Sequence, residues 1–263
     1  MSDQPSTSDL FSLFGDFTEE GANAAKAAAE RNPNGVNWGK VLPGSNLLRI
    51  LPPKPGRENP LASRYVHYLK GGERVKQVPC LQAHKGVPCP LCEDAARLDG
   101  SDDPVQKEEG KEMRVQSSHL VAAIDMNAPI DLENPSASVK VYELRRGVVQ
   151  DIAKIRLNVR SGGNYAHPFE GFPIEIIKEG TGMQTRYSAM PCVAQKGPIH
   201  TDEGVMRAIL TSYPDVFTLH KMPTMDEVLA TRQEWQDELA AKAVVSRGGR
   251  SAQALAASMS ARR

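Results

Sequence analysis

The 263-residue chain has no net charge, with 32 basic and 32 acidic side chains, and only 5% of its residues are aromatic. Overall charge therefore announces no partner of opposite sign. No apolar run approaches the roughly 20 residues of a bilayer-spanning helix. A secretory leader is not expected either: the stretch from Leu10 to Phe17 is broken by Ser12, Gly15 and Asp16 and lacks a basic flank. On that ground a reducing compartment is expected, where structural disulfides are rare. Gly-rich phosphate loops and nucleophile elbows are absent, which removes two common signatures of catalysis. Cysteines number only four, yet they are not scattered.

Three of them, Cys80, Cys89 and Cys92, share the segment 67–92, HYLKGGERVKQVPCLQAHKGVPCPLC, with His67 and His84. The segment has little apolar content of its own and needs a staple. Three thiolates and one imidazole would hold a tetrahedral Zn²⁺, and the Cys89-Pro90-Leu91-Cys92 spacing lets two thiolates turn onto one ion. Spacing leaves the histidine open: His84 gives a compact knuckle, whereas His67 lies thirteen residues before Cys80, across Gly71-Gly72. Cys192, far off after Pro191, reads as a buried apolar residue.

The rest of the chain divides by composition. Residues 1–37 read as an acidic N-terminal arm: residues 1–30 hold six acidic side chains against Lys26, an apolar cluster at Leu10–Phe17 and an Ala-rich helix at 18–31. Strands are expected from Val41 to Leu51 after the Pro43-Gly44 turn, from Arg114 to Asp125, and from Ser138 to Leu144. A hairpin is expected with Phe172–Lys178 and Met183–Met190 as its arms and Gly180-Thr181-Gly182 as its turn. Residues 93–112, interrupted by Gly100-Ser101-Asp102-Asp103-Pro104, read as a surface loop. Helices are expected at Thr201–Ser212 and Thr224–Ala241, the latter opened by a Thr224–Glu227 capping box. The expected fold is α+β and mainly β: a compact barrel over 38–198 with a metal-binding insertion at about 63–112, helices over 199–243, and a basic flexible tail over 244–263. Five basic residues and no acidic one occupy 242–263.

His67, Cys80, the Cys89-Pro90-x-Cys92 pair and the preceding LLRILP strand together resemble the zinc subdomain of the T-even phage type of single-stranded DNA-binding, helix-destabilising protein. The similarity extends through Lys140-Val141-Tyr142 and the 172–187 hairpin and covers roughly residues 40–240, although only the zinc motif is specific. The resemblance implies an OB-fold barrel with a zinc-bound insertion and single-stranded DNA in the cleft between them, with His67 as the fourth ligand. It implies a coat for unpaired DNA in phage replication, recombination and repair, in the host bacterial cytoplasm. Replication and recombination proteins, and copies of the chain itself along DNA, are the implied partners. The family has a basic arm and an acidic tail; here the charges are reversed, and docking of one copy's tail on its neighbour's arm is expected.

A sequence-tolerant binder of single strands needs cations that follow phosphates and rings on which bases stack. The cationic candidates are Lys70, Arg74, Lys76 and Lys85 around the metal motif, Lys111 and Arg114 beyond it, and Arg145, Arg146, Lys154, Arg156, Arg160 and Arg186. The stacking candidates are Tyr65, Tyr68, Tyr142, Tyr165, Phe169 and Tyr187, with Arg186-Tyr187 favoured because the family's matching strand carries a tyrosine. A zinc deaminase is disfavoured, because Leu69 and Gly86 stand where a proton-shuttling glutamate would follow His67 or His84. The remaining alternative is a zinc-ribbon adaptor that binds protein.

Overall fold

A computed structural model describes residues 36–71, 73–158 and 163–260, with side chains through 242 except at 183. The expected arm, with its apolar cluster and helix, lies almost wholly outside the described residues, as do Arg160 and 261–263.

Seven antiparallel strands form one sheet: β1 (Gly44–Ile50), β2 (Ala62–Leu69), β3 (Lys76–Pro79), β4 (Gln116–Asp125), β5 (Val139–Arg145), β6 (Ile174–Glu179) and β7 (Arg186–Pro191). The strand path is β3-β2-β4-β1-β6-β7, with β5 on β4, and among the described residues it is open. β4 is the branch point. Its residues 118–124 pair with β5, and its other edge is shared between β2 over 116–120 and β1 over 123–125. One ten-residue strand thus joins two lobes.

β4 reads LVAAI at its centre because it is covered on both faces, the pattern of a strand without a wet side. Val121 and Ala123 face a cluster with Leu48, Ile50, Leu144, Phe172 and helix α4 (Arg146–Leu157). Leu120, Ala122 and Ile124 face Val139, Val141 and helix α5 (Glu203–Ser212). A third cluster lies around the cysteines, between β2, β3, helices α1 (Leu81–Lys85), α2 (Pro90–Asp99) and α3 (Pro104–Met113), and helix α6 (Met225–Ser260).

Three expectations change. Residues 93–112 are mostly helical: Asp103 caps Val105 N–H at 2.9 Å, each helix starts with proline, and Leu91, Ala95 and Met113 are buried. Proline there is a start signal, since its fixed φ suits the first helical turn. α4 falls in a stretch for which no element was expected. α6 continues to Ser260, through the boundary at 243/244 beyond which a flexible tail was expected; Ala252, Ala254, Ala256 and Ala257 are strong helix formers. The capping box forms, with Thr224 N–H donating to Glu227 at 2.7 Å and Glu227 N–H to the Thr224 hydroxyl at 3.2 Å.

Arg49 on β1 is only 1% exposed. Its guanidinium donates to the carbonyls of Tyr165 (3.3 Å), His167 (2.9 Å) and Gly197 (2.8 Å), pinning the loop that leads into β6 and the segment that follows β7. Burial lowers its pKa to about 10, so it stays charged at neutral pH. Arg49→Met strips three carbonyls of their donor and should cost at least about 3 kcal/mol, read as a lower urea midpoint. Arg49→Lys should recover only part, because one ammonium cannot span the three acceptors.

Candidate metal centre and nucleic-acid interface

The β2/β3 hairpin sets His67 opposite Val78 and delivers the chain to Cys80 one residue after β3. Cys80 caps α1, Cys89 stands at the cap of α2, and Cys92 lies in the first turn of α2. The four ligand atoms lie within 4.8 Å of one another. His67 Nε2 is 3.5 Å from Cys92 Sγ and 3.6 Å from Cys89 Sγ, and Cys80 Sγ is 3.5 Å from Cys92 Sγ. A tetrahedron with metal–sulfur bonds of 2.3 Å has edges of about 3.8 Å, so the donor set fits an ion; 3.5 Å is far too long for a disulfide.

Hydrogen bonds distinguish the two histidines. His67, fully buried, holds the Met113 carbonyl at 2.7 Å through Nδ1, which places the proton there and turns the Nε2 lone pair toward the thiols. His84 Nε2 instead accepts the Tyr65 N–H at 3.1 Å. Burial alone would raise the Cys89 thiol, but His67 and the backbone N–H groups of Cys92, Leu81 and Leu91 bring it down to about 6. Burial and the neighbouring Cys80 push Cys92 up. The cluster can hold a metal ion, and with four protein ligands it leaves no position for a reacting water. Cys192, half-buried, stands apart from it.

α6 straps this subdomain. Arg232 binds the buried Asp94, its Nη2 at 2.7 Å. Trp235 Nε1–H donates to the Lys70 carbonyl at 2.7 Å, and Lys76 bridges Glu234 and Glu238, both at 2.9 Å. Lys76 is thus engaged by two carboxylates of α6. Lys70 pairs with Glu112, Lys111 with Glu108 and Arg114 with Asp99, all at the surface. Arg74, at the hairpin tip, is exposed and has no ionic partner among the described residues.

A cleft of about 340 Å³ runs between the lobes. Its walls are Gly39, Lys40 and Val41 before β1, Tyr68 of β2, Glu143, Leu144 and Arg145 of β5, Val148, Ile176, and the pair Lys178 and Tyr187. Of the expected contacts it gathers Arg145, Tyr187 and Tyr68. Arg146 and Arg186 are exposed beside it in sequence. Tyr142 is corrected: at 2% exposure it packs in the core with its ring against Gly39, so no base can stack on it. Tyr165 is likewise core, as Phe172 is, while Phe169 is exposed elsewhere. Lys40 and Lys178 were missed. Lys178 could have been found from register, because the 180–182 turn sets it directly opposite Tyr187, with Nζ 5.8 Å from that ring.

Residues 43–236 match the family model described as gp32 DNA binding protein like. The chain belongs to this family. No curated protein matches it. The gp32-like segment takes in all four cluster residues, the cleft from Glu143 to Tyr187, and α6 as far as Trp235, one residue before the match ends. The family is one of DNA-binding proteins.

His67→Ala or Cys80→Ser should abolish stoichiometric metal uptake, whereas His84→Ala should leave it intact, as read by elemental analysis of purified protein. Acidification should release the ion, because protons compete for the thiolates.

Proposed function

We propose that the protein binds single-stranded DNA in the cleft between its lobes and that a structural Zn²⁺, held by His67, Cys80, Cys89 and Cys92, fixes the lobe carrying Tyr68. The observation that carries this reading is the cleft's make-up: Lys40, Arg145 and Lys178 supply cations beside two tyrosine rings, in a chain whose family binds DNA. Zinc is favoured over other ions by the donor set, three soft thiolates and an imidazole at tetrahedral spacing. We read β1, β4, β5, β6 and β7 around the α4-covered core as the counterpart of the OB barrel. DNA would follow the cationic wall, with bases on Tyr68 and Tyr187, each stack worth about 1–3 kcal/mol. Taking up the unpaired form would hold strands open in phage replication, recombination or repair in the host cytoplasm. The oppositely charged ends of the chain favour side-by-side copies on one strand.

The test is a titration of labelled oligonucleotides, single-stranded against duplex, over a salt series. Single strands should bind preferentially and lose affinity as salt rises, because phosphate contacts release counterions. Lys178→Ala and Arg145→Ala should each reduce the log–log salt slope by about 0.7, and Tyr187→Ala should weaken binding about 5- to 150-fold without changing that slope. Equal affinity for duplex would overturn the single-strand reading, and no affinity for either form would favour a protein-binding adaptor.

A further inference from the structure

One acidic side chain stands in the cleft. Glu143 of β5 lines it beside Arg145, with its side chain 37% exposed. A carboxylate there repels phosphate, so its presence asks for another role. Its Oε1 is fully engaged: Arg64 Nη1 donates at 2.7 Å and the Ser118 hydroxyl at 2.6 Å. Its Oε2 has no hydrogen-bond partner among the described residues. The same Arg64 nitrogen lies 3.4 Å from the Tyr68 hydroxyl, so one guanidinium ties the carboxylate to the edge of a ring that faces the cleft. Arg64 is itself held by Gln77 and is 12% exposed in its side chain. The carboxylate is thus fixed rather than swinging in solvent.

We propose that Glu143 is a base-selecting residue: its free Oε2 accepts a hydrogen bond from the exocyclic amino group of a base stacked on Tyr68. The proposal rests on the reading of the cleft as a single-strand site and adds a preference within it. Cytosine and adenine present an amino donor on that edge, whereas thymine presents O4, an acceptor that a carboxylate repels. Binding should therefore favour cytosine over thymine at this position.

The geometry gives a signed test. Arg64 can only donate, so in Glu143→Gln the amide oxygen must stay on Arg64 and the NH₂ must face the cleft. An acceptor becomes a donor, and the preference should invert. Affinities of oligo(dC) and oligo(dT) of equal length, measured at mildly alkaline pH, should differ by about fivefold in favour of dC for the native protein. The ratio should reverse in E143Q even though both affinities rise from the lost negative charge. With the native protein alone, oligo(dC) carrying N4,N4-dimethylcytosine should fall to the level of dT, an arm that does not depend on the variant's folding. Equal native affinity for dC and dT, or a ratio unmoved by both E143Q and N4 methylation, would overturn the proposal. Failure of both oligomers to bind would overturn the single-strand reading beneath it.

Discussion

Four ligand atoms within 4.8 Å of one another, three of them sulfur, are the constraint on which the lobe of β2, β3, α1, α2 and α3 depends. Thiolates that close repel one another, and thiols that close gain little; a divalent cation turns the crowding into four bonds. The apolar cluster around them is modest and includes Cys80 and Cys89 among its own members. Leu69, Leu81, Leu91 and Met113 pack beside them, and Trp235 of α6 closes the cluster from outside. An ion bound by residues that are themselves part of this core would contribute to folding, as in small metal-dependent domains.

The centre reaches the cleft through strand geometry. Successive residues on a strand point to opposite faces, so fixing His67 toward the thiols fixes Tyr68 away from them, toward Arg64 and the cleft. A one-residue slip of β2 would exchange the two and lose both functions. Pairing of β2 with β4 over Ala62–Val66, and of β4 with β5 over Ser118–Ile124, carries that register to Glu143 and Arg145 on the opposite wall. Metal, stacking ring and cation are thus three readings of one hydrogen-bond ladder. α6 adds a second hold from outside through Arg232, Trp235 and the two glutamates on Lys76.

Much of this was legible in the sequence, and the misses share a cause. Strands β4 to β7 and the capped helices follow from alternation, turns and the Thr224 box, all local. The helices around 90–113 were hidden because Gly100-Ser101-Asp102-Asp103-Pro104 carries loop chemistry, although Asp103-Pro104 is also a helix start; only packing of Leu91, Ala95 and Met113 decides between them. The choice of His67 over His84 needed the family likeness; the bond that His67 donates to the Met113 carbonyl and the one that His84 accepts from Tyr65 agree with it. Tyr142 against Tyr187 is a question of which face is covered, and β5 is covered on both: Tyr142 and Leu144 pack into one core, Val139 and Val141 into the other. Glu143 escaped notice because a search for cations and rings passes over an acid.

In this neutral chain many basic side chains are paired, so their number overstates the positive field they project. The cations nearest the metal are answered by acids on α2, α3 and α6: Lys76 by two, Lys70, Lys111 and Arg114 by one each. Their exposed pairs contribute little to stability, but they cancel much of the field that those residues would project into solvent. In the cleft, Lys40, Arg145 and Lys178 face one carboxylate, and that carboxylate is already paired with Arg64. At the seam between the lobes three cations thus stand beside one acid that is already paired, whereas most of the cations around the cysteines have an acid of their own. In the proposed site a strand would meet cations where its bases can also stack, and its salt response would follow the few phosphates held there rather than the chain's total of 32 basic residues.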